Sequence, residues 1–96
     1  ISFVHQLGAN RFRMRVWERG GGLTLACGSG ASAVGVAALR AGLSGRVNEI
    51  VMDGGMVVID WQDDGTPSGR LVMQGPVAYV CRGRLADELS FAMKAL

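Results

Sequence analysis

The sequence predicts an α+β domain, in which an antiparallel, barrel-like sheet of about six strands wraps around one central apolar helix. Two features point there. The first is the stretch from Leu25 to Arg40, LACGSGASAVGVAALR, where Ala31, Ala33, Val34, Val36, Ala37, Ala38 and Leu39 cover every face of a helix. A helix that is apolar all round is a buried one, and this run is too short for a membrane span, which needs about 20 apolar residues. The second is a series of short strand-like runs, separated by turn residues, on both sides of that stretch. A sheet curled round the helix would bury it on all sides and leave its N-terminus at an open end of the wrap.

Taken in order, Ile1 to Leu7 has strand composition, Gly8-Ala9-Asn10 is a turn, and Arg11 to Trp17 alternates polar with apolar residues as the second strand of a hairpin. Glu18-Arg19 and the flexible Gly20-Gly21-Gly22 lead through Leu23-Thr24-Leu25 to the helix. That helix is expected over Ser29 to Ala41, stopped by Gly42 in the position just past a helix end. Val47 to Met52 and Met56 to Trp61 flank Asp53-Gly54-Gly55, a hairpin signal. Asp63 to Pro67 reads as a loop, and Arg70 to Gln74 and Val77 to Arg82 as two further strands around Gly75-Pro76. In the tail, Leu85, Leu89, Ala92, Met93 and Leu96 stand at helical spacing and predict a short amphipathic helix.

The 96 residues make one domain, residues 1–85, followed by the tail 86–96. The chain opens at Ile1 and enters a strand pattern at once, so we expect it to be a piece of a longer protein. With 49% hydrophobic and 19% charged residues, the composition excludes a disordered chain. The net charge of +2 is small, and Arg11, Arg13 and Arg15 alternate with Phe12, Met14 and Val16 as one solvated strand face, so neither nucleic acid nor membrane is expected as a partner. Cys27 and Cys81 do not make a disulfide framework, and no signal peptide is visible, which points to the reducing cytoplasm.

Cys27 precedes Gly28-Ser29-Gly30 at the start of the helix. Backbone N–H groups and the positive end of the helix dipole therefore point at the thiol and at any anion beside it. A thiol so placed can serve as nucleophile, redox group, metal ligand or proton-transfer group; the bland alternative is a small buried apolar side chain. Zinc is disfavoured, because only Cys81 and His5 could add ligands of its usual kind. His5, the single histidine, alternates with apolar residues in a strand and reads as a surface or packing residue. The glycines are not a phosphate loop, since the required lysine after Gly30 is absent.

The segment Arg15-Val16-Trp17-Glu18-Arg19-Gly20, then Thr24 and Ala26-Cys27-Gly28-Ser29-Gly30-Ala31, followed by Asp53-Gly54-Gly55, Trp61 and Met73-Gln74-Gly75-Pro76, closely resembles the second half of the diaminopimelate epimerase family over about residues 1–85. The resemblance implies two similar halves, each a barrel-like sheet around a helix, with the substrate between them and one cysteine from each half. It implies a two-base reaction without pyridoxal phosphate or metal: one thiolate removes the α-proton and the other thiol returns a proton to the opposite face. On this resemblance Cys27 is the second-half catalytic cysteine, Gly28 and Ser29 hold the α-carboxylate, and Glu18 and Arg19 are the substrate-binding pair. Arg19 suits a carboxylate because its planar fork can engage two oxygens at once. The implied function is interconversion of LL- and meso-diaminopimelate in lysine and cell-wall synthesis. The implied partners are that small molecule and the missing N-terminal half, with a homodimer also compatible. Cys81, expected in the last strand, is not the second base. Leu23 stands where the family commonly has glutamate, Ser32 where a second, non-catalytic cysteine is frequent, and Cys81 where a tyrosine aids dimerisation. The alternatives are another cofactor-independent isomerase such as a proline racemase, against which Ala26 stands where those enzymes place proline, or a non-catalytic carboxylate-binding half-domain.

Overall fold

A computed structural model describes residues 1–89. Six strands and one helix follow one another as β1 (Ser2–Gly8), β2 (Arg11–Glu18), β3 (Gly22–Thr24), α1 (Gly28–Arg40), β4 (Val47–Met52), β5 (Gly55–Gln62) and β6 (Arg70–Gln74). The strands form one sheet in the order β1-β2-β4-β5-β6, with β3 also on β2. The two hairpins read from the turn residues are present: Val4 pairs with Met14 across β1–β2, and Ile50 with Val57 across β4–β5, both antiparallel.

Three expectations need correction. The sheet is mixed rather than wholly antiparallel, because β2 and β4 run parallel through Arg11↔Glu49, Phe12↔Ile50 and Arg13↔Val51. The cause is α1 itself: a helix between two neighbouring strands acts as a crossover, which returns the chain in the original direction, whereas a tight turn would reverse it. β3 and β4 therefore share one edge of β2, β3 on Val16–Glu18 and β4 on Arg11–Arg13. Next, the sheet does not close into a barrel, and its two ends, β1 and β6, are not paired with each other. The helix is accordingly covered on one side only: Ala31, Val34, Gly35 and Ala38 are buried, while Ala33 and Ala37 are exposed. Last, the strand expected over Val77 to Arg82 is absent. That stretch has no regular structure, with Val77 and Tyr79 fully exposed, and the sixth strand is β3. Of the tail helix expected from Leu85 onward, residues 87–89 are helical and 85–86 are not; residues 90–96 of that expectation fall outside the described residues.

The core lies between α1 and one face of the sheet. Phe12, Met14 and Val16 of β2, Ile50 and Met52 of β4 and Ile59 of β5 pack with Ala31, Val34 and Ala38 of α1. The alternation in each strand turns every second residue inward, so Arg11, Arg13 and Arg15 occupy the opposite face. α1 comes so close to β5 that a Cβ on Gly35 would lie 2.6 Å from Ile59 Cγ2. At its C-terminus the helix closes as the sequence predicts. Gly42 is at φ +73°, its N–H bonds the Leu39 carbonyl at 3.0 Å, and the Leu43 N–H bonds the Ala38 carbonyl at 2.9 Å. This is a complete Schellman motif, in which glycine takes the left-handed conformation without strain.

Candidate active site

Cys27 is the N-cap of α1, with extended backbone at φ −151° and ψ 105°. Its Sγ accepts the N–H of Gly30 at 3.3 Å, and the Ser29 hydroxyl oxygen lies 3.5 Å from it. Its carbonyl accepts the N–H of Ala31 at 2.9 Å and so begins the helical ladder. The N–H groups of the first turn have no partners inside the helix, and no acidic residue occupies that turn to offset the positive end of the dipole. Cys27 and Gly28 are half-buried and Ser29 is exposed. Ser32 bonds back to the Gly28 carbonyl at 2.9 Å. Thiol, hydroxyl and first-turn amides thus meet at one place, suited to an anion beside a group that can give or take a proton.

Glu18 and Arg19 sit at the tip of the β2–β3 hairpin. Glu18 ends β2 opposite Gly22, its carbonyl accepts the Gly21 N–H at 3.2 Å, and its side chain is half-buried; Arg19 is exposed. The returning strand leads back to the thiol, since only Leu25 and Ala26 separate β3 from Cys27. The structure therefore gathers Cys27, Gly28 and Ser29 at the helix start and sets Glu18 and Arg19 on the adjoining hairpin. No side-chain hydrogen bond or ion pair joins the two groups among the described residues. Thr24, on the same hairpin, buries a hydroxyl oxygen without a hydrogen-bond partner.

Two features near the thiol have no signal in the local sequence. The Cys27 N–H donates to Met52 Sδ at 3.4 Å, and the Leu25 carbonyl accepts the Gly54 N–H at 2.7 Å. Beside them Asp53 receives Arg13, which also donates to the carbonyls of Met14 at 2.8 Å and Val51 at 3.1 Å, and Arg15 lies 3.5 Å from the other carboxylate oxygen. The hydrogen bond from Arg13, reinforced by the charges of Arg13 and Arg15, holds the Asp53 carboxyl below its ordinary value. The open flank of α1 lines a groove of about 740 Å³ between Ser29, Ala33, Ala37 and Leu71. Cys81 is exposed and outside any strand. Among the described residues no three His, Cys, Asp or Glu side chains group as a metal site requires, and no helix is long and apolar enough to cross a membrane.

This is an α+β scaffold that presents a cysteine at a helix N-terminus beside a hydroxyl and free amides, the kind of setting in which a thiol can transfer a proton or act as nucleophile. A family model described as diaminopimelate epimerase matches residues 1–80, and the chain belongs to that family. It is 53% identical over 85 residues to a diaminopimelate epimerase of Acidiphilium cryptum (88% of this chain, 29% of that protein). It is 46% identical over 85 residues to one of Bacteroides thetaiotaomicron (88% and 31%). Over 89 residues it is 47% identical to one of Rhodospirillum centenum (93% and 29%). The chain thus spans under a third of the length of these curated relatives.

Proposed function

We propose that this chain carries one of the two proton-transfer cysteines of an epimerase that interconverts LL- and meso-diaminopimelate, an isomerase of lysine biosynthesis. The observation that carries the reading is the N-terminus of α1, where Cys27 Sγ accepts the Gly30 N–H at 3.3 Å with Ser29 Oγ 3.5 Å away. In one direction the Cys27 thiolate takes the α-proton and becomes a thiol. A second thiol, supplied by the part of the protein outside this chain, gives its proton to the opposite face of the carbon and becomes the thiolate. The charge on sulfur is thereby conserved, and the two groups exchange roles for the reverse reaction.

The amides of Gly28 and Ser29 would hold the substrate's α-carboxylate at the positive end of the helix, where charge that develops on the adjacent carbon is also stabilised. Arg19 would engage a carboxylate through its planar fork, and Glu18, by carboxylate or carbonyl, would meet an ammonium group. The N-terminal half of the enzyme would supply the opposite wall of the site, and its setting would be the cytoplasm.

The test is the full reading frame that contains this segment, incubated with LL-diaminopimelate in deuterated water while the α-proton signal is followed by NMR. Loss of that signal with formation of the meso isomer is the expected result. Exchange with proline instead would assign the chemistry to a proline racemase. A protein that binds carboxylates and exchanges no α-proton would make this a binding half-domain.

A further inference from the structure

We propose that Met52 is a positioning residue for Cys27, acting with the rest of the β4–β5 hairpin tip; the proposal rests on the reading of Cys27 as a proton-transfer group. In a capping box the N-cap side chain accepts the N–H of the third helical residue, and the side chain of that third residue reaches back to accept the N-cap's own N–H. Here Cys27 performs the first half, through Sγ to the Gly30 N–H. Gly30 has no side chain and cannot perform the second. The missing acceptor comes from another strand: Met52 Sδ takes the Cys27 N–H at 3.4 Å from a side chain only 6% exposed.

That contact orients the peptide plane that enters Cys27, from which the Cα–Cβ bond departs, while the Gly30 N–H holds Sγ at the far end of the side chain. A second grip lies two residues along each segment. The Gly54 N–H bonds the Leu25 carbonyl at 2.7 Å, in so close an approach that a Cβ at Gly54 would stand 3.1 Å from the Leu25 oxygen. The tip that supplies both grips is itself anchored, because Asp53 between them is held by Arg13 and Arg15. The thiol is therefore aimed by a braced hairpin, through contacts to the backbone that do not themselves occupy Sγ. A thioether is a weak acceptor; it can orient this N–H without competing for the proton that Cys27 transfers.

The experiment uses the full reading frame with Met52→Leu, which keeps apolar bulk and removes the acceptor. Two readouts separate positioning from folding: kcat against KM for α-proton exchange, and the iodoacetamide alkylation rate of Cys27 relative to the exposed Cys81, resolved by peptide. We expect kcat to fall by roughly tenfold or more, as misplacement of a reacting group does, with KM within about twofold and the Cys27-to-Cys81 ratio reduced about threefold or more. A folded Met52→Leu protein with the parent kcat and the parent ratio would overturn the proposal. If the parent exchanges no proton and the ratio still falls, the positioning role stands and the epimerase reading fails. Should Met52→Leu not fold by circular dichroism, Asp53→Asn, which loosens the same tip from outside the core, decides the matter on the same two readouts.

Discussion

The two ends of α1 are closed in opposite ways. At the C-terminus the helix closes through its own backbone: Gly42 and Leu43 return their N–H groups to Leu39 and Ala38, and among the described residues the only outside hydrogen bond is from Gln6 of β1 to the Leu43 carbonyl. At the N-terminus the cap is a cysteine, although Ser, Thr, Asp and Asn are the residues that cap best; its N–H is taken from elsewhere by Met52, and Gly54 holds Leu25 two residues before it. Both ends stop a helix, but only one leaves a reactive group and free amides facing outward. A helix end built for stability alone needs no help from a distant hairpin. The N-terminal end gives up capping strength for a thiol and draws its order from the sheet.

The contrast can be broken most severely at Cys27. Cys27→Ser in the full-length protein should lower α-proton exchange by about 10²–10⁴-fold, the contribution of a positioned acid or base, with the melting temperature held or raised because serine is the better cap. Midway along the helix, where neither end is involved, Gly35→Ala should overpack Ile59 and cost about 1–3 kcal/mol in urea unfolding. At the closed end, Gly42→Ala should cost about 1 kcal/mol through the left-handed backbone it must adopt, leaving the kcat of the folded protein unchanged. The smallest effect concerns the bracing of the open end. Asp53 has a folded pKa below its ordinary value of 3.8, so the unfolded chain binds the more protons in acid. Its contribution is therefore fully present above the ordinary value and is lost as pH falls through the lower, folded one. Urea midpoints measured from about pH 6 down to 2 should show the parent's advantage over Asp53→Asn disappearing at the acid end.

Much of this architecture was legible because its determinants are local. Gly8-Ala9-Asn10 and Asp53-Gly54-Gly55 announce their hairpins, Gly42 announces the helix stop, and Cys27 before Gly28-Ser29-Gly30 announces a helix start with a thiol on it. What escaped depends on residues far apart in the chain. The parallel pairing of β2 with β4 is decided by where a crossover helix packs, and no short pattern records that. The three-residue β3 is too short to show a period. Strand composition over Val77 to Arg82 implies a strand only where another strand is there to receive it. An all-apolar helix signals how much burial its faces favour; here the sheet covers one side and leaves Ala33 and Ala37 open. At the site, Gly28 and Ser29 were readable beside Cys27, whereas Met52, twenty-five residues from the amide it accepts, had no signal in the chain around it.

The most direct measurement is substrate protection in the full-length protein. Cys27 and Cys81 are alkylated by iodoacetamide with and without diaminopimelate, and each peptide is followed by mass spectrometry. If the N-terminus of α1 receives the substrate, diaminopimelate slows modification of Cys27 and leaves the rate at Cys81 unchanged. Equal rates at Cys27 with and without saturating diaminopimelate would contradict the assignment of this helix end to the substrate site.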